Sequence, residues 1–322
     1  MILNRRQILL STAAAGAAST LSVRLAAAQG AAATAGTAQA PAFHRMKVGE
    51  ATVTALADGY LQLNAGVFPT VGETDFAGAM EAAFQPTSAY PAAVNAYAIE
   101  IGDRVILVDA GGSRGMAPTL GNLRANLEAA GIAPASVDTI LMTHLHPDHI
   151  GGLTDATGAA AFPDAELVVA APELEFWTDP GTRAALPDGA KGMVDGVNAV
   201  AAAYEGSTRT FTDDLGVAGV DAVALPGHTP GHTGYRLESG DTGLLIWGDI
   251  VHVPPLQLAD PAIFIGFDST PEQAVSTRQK ILDEAASDRL LVAGMHLPFP
   301  GFGHIARDGD GYAFVRADWQ YL

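Results

Sequence analysis

Apolar residues along this chain fall into short stretches that end at turn-forming residues. Stretches rich in aliphatic residues and ended by Gly, Pro, Asn or Asp are typical of buried strands. They predict three hairpins. The first pairs 46–48 with 51–57, the second pairs 94–101 with 104–108, and the third pairs 234–237 with 243–247. They also predict single strands over 137–142, 165–171, 209–212, 220–225 and 290–293, the last of which we expect to be the final buried strand.

Other stretches repeat their apolar residues with helical spacing. In 118–130, Leu120, Leu123 and Leu127 share one face, and Gly131 follows as a typical C-terminal residue. The other predicted helices cover 173–177, 192–204 and 271–286. Strands that alternate with helices predict a layered α/β fold. The stretch 60–91 has no regular period and is predicted to be a long irregular loop, a feature that is often functional in compact domains.

The first 43 residues differ from the rest of the chain in composition. Arg5 and Arg6 precede a weakly apolar run that ends in three alanines, which predicts a twin-arginine signal peptide over residues 1–28. The run is too short and too rich in Ser, Thr and Gly to span a membrane. We therefore expect an exported protein, either periplasmic or secreted. Residues 29–43 are predicted to be a flexible linker and residues 44–322 a single domain.

Composition and charge narrow the range of partners. A hydrophobic content of 48% with 16% charged residues is typical of a globular chain, and the formal net charge is −18. Without residues 1–28, 14 basic and 35 acidic residues remain, a net charge of −21. This charge argues against nucleic acid and anionic membrane surfaces as partners. The chain has no cysteine, which excludes disulfides, iron–sulfur clusters and thiolate zinc sites and leaves His and carboxylates as the strong metal ligands.

One polar segment stands out after a predicted strand. The segment 143–152, Thr-His-Leu-His-Pro-Asp-His-Ile-Gly-Gly, directly follows the strand over 137–142. Pro147 argues against a helix here, because it lacks an N–H and pushes the preceding residue into an extended conformation. Residues two apart in extended backbone point the same way, so that His144 and His146 can bind one metal ion together.

The second half of this segment offers a second pair of ligands. Asp148 and His149 lie beyond the proline and turn towards a different point, which would suit a second ion. Imidazole nitrogens and carboxylate oxygens are ligands of zinc and related metals. Single histidines on loops are usually ordinary polar residues, whereas clusters of His and carboxylate mark metal or catalytic sites. The segment therefore predicts two metal ions side by side.

Further His and Asp residues also follow predicted strands. In layered α/β folds, the C-terminal ends of the strands are where sites assemble. Five segments carry such residues to that edge, namely Asp109, the 144–149 cluster, His228, Asp249 and His296. We interpret Asp109 as support for a ligand rather than a ligand itself. His232 and His252 either orient neighbouring ligands or form hydrogen bonds within their own loops, and His44 and His304 are predicted to be structural or exposed.

This arrangement resembles the metallo-beta-lactamase fold superfamily over roughly residues 44–316, with the H-x-H-x-D-H motif intact at 144–149. The resemblance implies a four-layer αββα sandwich with a binuclear site on one edge of the sheets. It also implies a specific ligand set, in which His144, His146 and His228 hold one metal, Asp148, His149 and His296 hold the other, and Asp249 bridges them. Two divalent metal ions, with zinc expected, would be the cofactors. Asp148 and Asp249 are the expected catalytic residues.

Within that superfamily, four motifs are similar to those of methyl parathion hydrolase and its lactonase-like relatives. They are Asp58-Gly59, the Pro-Gly-His-Thr repeat from Pro226, Gly-Asp-Ile-Val-His from Gly248 and the segment 296–304. The similarity implies hydrolysis of small neutral esters, namely lactones, aryl esters or phosphotriesters, by a metal-bridging hydroxide. Asp148 would relay a proton to the leaving group or act only as a ligand. An apolar pocket mouth is expected from Leu61, Leu63, Trp177, Phe264, Phe267 and Phe299. Dimers occur among relatives, so a homodimer is compatible with the resemblance, although nothing in the sequence requires one.

Two other functions stay open at this point. A mononuclear iron oxygenase of the sulfur dioxygenase type uses the same fold and would bind about one iron per chain. A periplasmic metal-binding protein would bind metal tightly and hydrolyse no ester. Glyoxalase II fits less well, because it adds a C-terminal helical part with basic residues, whereas only about twenty residues follow Phe302 here. Nucleases of this superfamily need a basic surface, and this chain is acidic.

Overall fold

The strands and helices were located in a computed structural model that describes residues 40–240 and 242–322. The predicted signal peptide, and the linker as far as residue 39, lie outside the described residues. The first strand begins at Phe43. In the part of the chain that the structure describes, no helix is long and apolar enough to cross a membrane.

Thirteen strands and eight α-helices follow one another along the described residues. The strands are β1 (Phe43–Val48), β2 (Ala51–Leu63), β3 (Tyr90–Ile101), β4 (Arg104–Val108), β5 (Thr139–Leu141), β6 (Glu166–Ala170), β7 (Thr208–Phe211), β8 (Val220–Ala224), β9 (Thr233–Ser239), β10 (Thr242–Ile246), β11 (Leu291–Ala293), β12 (Phe302–Asp308) and β13 (Gly311–Arg316). The helices are α1 (Glu73–Ala82), α2 (Leu123–Ala129), α3 (Pro147–Ile150), α4 (Ala171–Thr178), α5 (Pro180–Ala185), α6 (Lys191–Ala203), α7 (Pro254–Gln257) and α8 (Pro271–Ser287). Short 3-10 helices cover Ala65–Val67, Pro134–Ser136 and Asp188–Ala190.

The strands form two sheets. The first has seven strands in the order β1-β2-β3-β4-β5-β6-β7, antiparallel from β1 to β4 and parallel from β4 to β7. The second has six strands in the order β13-β12-β11-β10-β9-β8, and only β10 and β11 pair in parallel. Both sheets therefore bring the C-terminal ends of several strands to one edge, which is where polar residues can gather.

Packing arranges these elements in four layers. The inner faces of the two sheets bury one apolar core, with Ile106 and Ile246 among its members. The outer face of the first sheet packs against α2, α4 and α6, for example through Leu107. The outer face of the second sheet packs against α8, where Leu245 lies in the same core as Leu282. This arrangement confirms the predicted αββα sandwich, because each sheet has two apolar faces and each needs a covering layer.

The stretch 60–91 contradicts the predicted irregular loop. Strand β2 continues past Gly59 through a bulge at which the register shifts, and α1 and the start of β3 occupy much of the rest. At Gly59 the φ angle is 149°, and a Cβ would lie 1.9 Å from the carbonyl oxygen of Thr119. Glycine is therefore required in the middle of a strand, where the sequence suggests an end. The prediction that 290–293 is the last strand is also wrong, since β12 and β13 follow it.

The bulge directs Asp58 into the interior, and this gives a testable stability prediction. Its buried carboxylate accepts hydrogen bonds from the backbone N–H groups of Gly112, Gly121, Asn122 and Leu123, at 2.8 to 3.1 Å. We expect Asp58→Ala to lower the free energy of unfolding by about 3 kcal/mol, because it leaves these N–H groups without an acceptor. Urea denaturation measures the change. Asp58→Asn keeps one acceptor oxygen and should lower the free energy of unfolding by less. Equal stability of Asp58→Ala and the wild type would show that Asp58 does not stabilise the fold through these hydrogen bonds.

Candidate metal centre

The loop after β5 brings the first ligand candidates to the edge of the sheets. His146 has extended backbone, with φ −69° and ψ 155°, as predicted. The expectation that Pro147 excludes a helix is wrong, since Pro147 is the first residue of the one-turn helix α3. Proline fits this first position because the N–H it lacks would have no partner within the helix. The turn of helix then carries Asp148 and His149 to a second point, although the ring of His149 still lies beside that of His144, with 4.0 Å between centroids.

Three imidazoles converge in a first cluster formed by His144, His146 and His228. His146 Nδ1 lies 3.0 Å from His144 Nε2 and 3.0 Å from His228 Nε2, and all three side chains are buried. Two nitrogens bound to one tetrahedral zinc lie about 3.3 Å apart, so these separations suit a shared ion. Burial lowers the pKa of His144 and of His146 well below the usual value, which favours the neutral form that binds metal.

A second cluster consists of Asp148, His149 and His296. Asp148 Oδ2 lies 3.6 Å from His149 Nε2 and 3.5 Å from His296 Nε2. His149 Nε2 is buried and has no hydrogen-bond partner within the described residues. A buried polar atom without a partner is costly, and a metal ion would satisfy it. The donor set of two imidazoles and a carboxylate fits a divalent metal.

Asp249 lies between the two clusters. Its Oδ2 is 3.4 Å from His228 Nε2 and 3.0 Å from His296 Nε2, while its Oδ1 is 3.4 Å from His149 Nε2. Among residues 40–240 and 242–322, Oδ1 has no hydrogen-bond donor. Burial alone would raise the pKa of Asp249, but the surrounding imidazoles hold it well below the usual value. The geometry thus brings all seven predicted ligands together and fits a carboxylate shared by two ions.

Two residues beside the clusters hold their members in place. Asp109 accepts a hydrogen bond from His149 Nδ1 at 2.7 Å and two more from the N–H and hydroxyl of Thr143. It therefore supports His149 from behind, as interpreted from the sequence. His232 donates through Nδ1 to Leu225 O, and its Nε2 accepts from the N–H of Asp249 at 3.0 Å. Burial lowers the pKa of His232 to about 3, which keeps the neutral form that this pair of bonds requires.

The structure adds residues that sequence reasoning missed or left open. Asp268 was not predicted, yet its Oδ1 accepts from His228 Nδ1 at 2.8 Å, as carboxylates commonly orient metal-binding imidazoles. Its only sequence signal is a position in the loop before α8. His252 Nε2 lies 3.1 Å from Asp249 Oδ2, and neither ring nitrogen has a hydrogen-bond partner in the part that the structure describes. His252 therefore faces the site and does not serve its own loop.

A cavity of about 630 Å³ opens above the clusters. Its lining includes Leu61, Leu63, Trp177 and Phe267, as predicted, together with the unpredicted Met116, Phe176, Leu186 and Met193. Phe264 and Phe299 do not line it, and Phe299 packs instead against the core between the sheets. None of the described residues that line the cavity is Lys or Arg. The site is thus an apolar chamber with polar groups at its floor.

Comparison with known proteins agrees with this architecture. The model of the family described as the metallo-beta-lactamase superfamily matches residues 89–296. A hydroxyacylglutathione hydrolase from Pseudomonas entomophila (strain L48) is 31% identical over 148 residues, which are 45% of this chain and 42% of the relative. A second hydroxyacylglutathione hydrolase, from Vibrio campbellii (strain ATCC BAA-1116), is 31% identical over 179 residues, which are 56% of this chain and 52% of the relative. The chain thus spans about half the length of these curated relatives.

Two solved structures extend the likeness over most of the chain. The hydrolase AbOPH of the beta lactamase superfamily has a TM-score of 0.83 and 32% identity, covering 88% of this chain and 100% of that one. AidC, a dizinc quorum-quenching lactonase, has a TM-score of 0.81 over 87% of this chain and 99% of its own. At 23% identity, that second likeness concerns the fold alone. With the family model covering more than half of its length, this chain belongs to the metallo-beta-lactamase superfamily.

Proposed function

We propose that this protein is a binuclear metal-dependent hydrolase of small neutral esters, with lactones as the first substrate class and aryl esters and phosphotriesters after them. The observation that carries the proposal is the position of Asp249. Its two oxygens lie within 3.4 Å of imidazoles from both clusters, at the floor of an apolar cavity. Family membership and the likeness to the hydrolase AbOPH support hydrolysis as the reaction class.

The ligand assignment follows the clusters. His144, His146 and His228 would hold one divalent ion, and Asp148, His149 and His296 the other, with Asp249 shared and zinc as the proposed metal. When bound, such ions supply an activated water at neutral pH and a Lewis acid for the substrate oxygen. Asp249 lies between the clusters, with Oδ2 near imidazoles of both and Oδ1 near His149. Asp148 lines the cavity, and we propose that it passes a proton to the leaving group.

The cavity supports neutral, apolar substrates over anionic ones. Its walls are aliphatic and aromatic, and within the described chain they contain no Lys or Arg to pair with a substrate carboxylate. A hydroxyacylglutathione, the substrate in the names of the two curated relatives, would bring carboxylates into such a chamber. Burying unpaired charges is costly, so uncharged esters are the better match.

Metal content and turnover, measured on one sample of purified protein, test the proposal. The assay compares kcat/KM for an aromatic lactone, an aryl ester and an aryl phosphotriester, with metals counted by mass spectrometry. Two metals per chain and lactone turnover would support the proposal. One iron per chain without ester turnover would favour the oxygenase, and tightly bound metal without any turnover would favour a metal-binding protein. Since a mononuclear site would leave the ligands of one cluster buried without an ion, we expect the first result.

The apolar walls predict a dependence on substrate length. Each methylene buried contributes about 0.8 kcal/mol, so kcat/KM should rise up to about fourfold per added methylene of a lactone side chain until the cavity is filled. Met193→Gln places an amide in the wall and should lower kcat/KM for the longest lactone by about tenfold. The shortest lactone of the series is the internal control and should be unaffected. An equal loss for all lengths would argue against Met193 as part of the substrate wall.

The twin-arginine start at Arg5-Arg6 leads us to propose export to the periplasm or the medium as part of the same function. The acidic net charge of −18 supports small molecules, and neither nucleic acid nor a membrane surface, as partners. Fractionation of cells that express the full chain tests the location. Protein retained in the cytoplasm with residues 1–28 still attached would contradict export.

A further inference from the structure

A buried carboxylate outside the ligand set connects the parts of the first cluster. Glu173, in α4, is only 1% exposed. Its Oε1 accepts hydrogen bonds from the N–H of Leu145 at 2.9 Å and from the indole N–H of Trp177 at 2.8 Å. Its Oε2 accepts from the hydroxyl of Thr229 at 2.6 Å and from the N–H of Gly231 at 3.0 Å. All four partners are donors, so both oxygens are fully used.

Three of the four donors, all but the indole of Trp177, come from the segments that carry the three imidazoles. Leu145 lies between His144 and His146, and Thr229 directly follows His228. These segments follow strands of different sheets, β5 and β8, and one backbone hydrogen bond, from the N–H of Thr233 to Thr143 O at 2.9 Å, joins their ends. Glu173 connects them at a second place, directly beside the imidazoles. Within the described residues, no Lys, Arg or His forms an ion pair with it, so hydrogen bonds alone compensate its burial.

Close packing makes this connection tight. At Gly231 a Cβ would lie 2.3 Å from the backbone nitrogen of Glu173, so that the loop rests directly on the start of α4. The ring of Trp177, fixed by its bond to Glu173, stands edge-on to the ring of His146 with 5.4 Å between centroids. A shift of Glu173 would thus move both the backbone of the first cluster and the side chain that packs on it.

The second cluster is held by other groups. Asn95 donates to the carbonyl oxygens of Gly294 and Leu297, at 3.2 and 2.8 Å, on either side of His296. His296 itself donates to Ala93 O at 2.7 Å. The two halves of the centre therefore have separate supports, and disturbing one support need not disturb the other.

We propose that Glu173 is the positioning residue of the first cluster, holding His144, His146 and His228 in register and thereby setting the affinity of that cluster for its metal ion. The inference rests on the metal centre of the proposed function. Residues that orient metal ligands from behind typically contribute about 10- to 100-fold in metal affinity. The effect should fall on one ion of the two.

Glu173→Gln tests this with little change of shape. The amide keeps one acceptor oxygen but turns an NH₂ group towards donors, which breaks the connection on one side. Metal-free protein is titrated with Zn²⁺ against a chromophoric chelator, so the readout does not depend on turnover. We expect the dissociation constant of one zinc ion to rise by about 10- to 100-fold and that of the other to stay within about twofold.

Ligand variants identify the affected ion. With His296→Ala as background, the remaining ion lies in the first cluster, and Glu173→Gln should weaken it further. With His228→Ala as background, the remaining ion lies in the second cluster, and Glu173→Gln should leave it unchanged. Asn95→Ala is the matched control, because it also removes buried hydrogen bonds behind a ligand loop, and it should weaken the second ion alone.

The outcomes separate this inference from the proposed function. A wild-type protein that binds no zinc would overturn the proposed function. If the wild type binds two zinc ions but Glu173→Gln weakens the binding of neither ion, or of both equally, only the role of Glu173 is overturned. If Glu173→Gln does not fold, Thr229→Val removes one of the four hydrogen bonds and carries the same test, with an expected loss of several-fold in the affinity of the first ion.

Discussion

Asp249→Ala is expected to lower kcat/KM by at least about 10³-fold, which corresponds to about 4 kcal/mol of transition-state stabilisation. Asp249 Oδ2 faces His228 and His296, and its Oδ1 faces His149. Without this carboxylate, two divalent ions would lie side by side with no shared negative ligand, and their mutual repulsion would grow in the buried site. We therefore expect the metal content to fall from two ions per chain towards one.

Two further substitutions provide a smaller expected effect and a control for comparison with Asp249→Ala. Asp268→Asn weakens the bond that orients His228 and the ion pair with the buried Arg278, and it should lower kcat/KM by about 10- to 100-fold, less than the loss of Asp249 itself. Asp155→Ala, in an exposed turn that does not line the cavity, is the control and should leave kcat/KM unchanged. The measurements are steady-state kinetics and metal analysis on the same preparations. Activity of Asp249→Ala within tenfold of the wild type, with two metals retained, would show that Asp249 is not shared between the ions.

Much of the sandwich could be predicted from the sequence because its strands are short, aliphatic and ended by turn residues. Strand β2 could not be followed past Ala57, since Gly59 in a strand usually marks an end. Here Gly59 permits a bulge, and the reason lies in the backbone of Thr119, sixty residues further along the chain. A contact between distant segments leaves no local signal. The prediction that Pro147 excludes a helix is wrong for a different reason, because one proline is compatible with both a loop and the first turn of a helix.

The candidate ligands and Asp109 could be picked out in the sequence, whereas Glu173 and Asp268, which hold ligands from other sides, could not. His144 to His149 and Asp249 are polar groups directly after apolar strands, a pattern that stands out. Glu173 lies in a short helix that resembles an ordinary surface helix, and only its burial shows that it faces inward. Asp268 lies in a loop among common turn residues. The roles of Glu173 and Asp268 therefore depend on tertiary packing, which a local sequence pattern does not show.

Removing the metals is expected to abolish hydrolysis and to destabilise the fold at the same time. Ligands that bind only the folded state at about 1,000 times their dissociation constant stabilise it by about 4 kcal/mol, so chelation should lower the Tm by roughly 10 °C. The loss follows from burial, because His149 Nε2 and Asp249 Oδ1 have no hydrogen-bond partner among the described residues. Calorimetry before and after chelation, and again after Zn²⁺ is restored, measures it. Asp249→Ala should show a smaller shift, since it binds less metal at the start. A metal-free sample that keeps full activity would contradict the proposed function, whereas one that keeps its Tm but loses activity would show that the clusters are held by the fold alone.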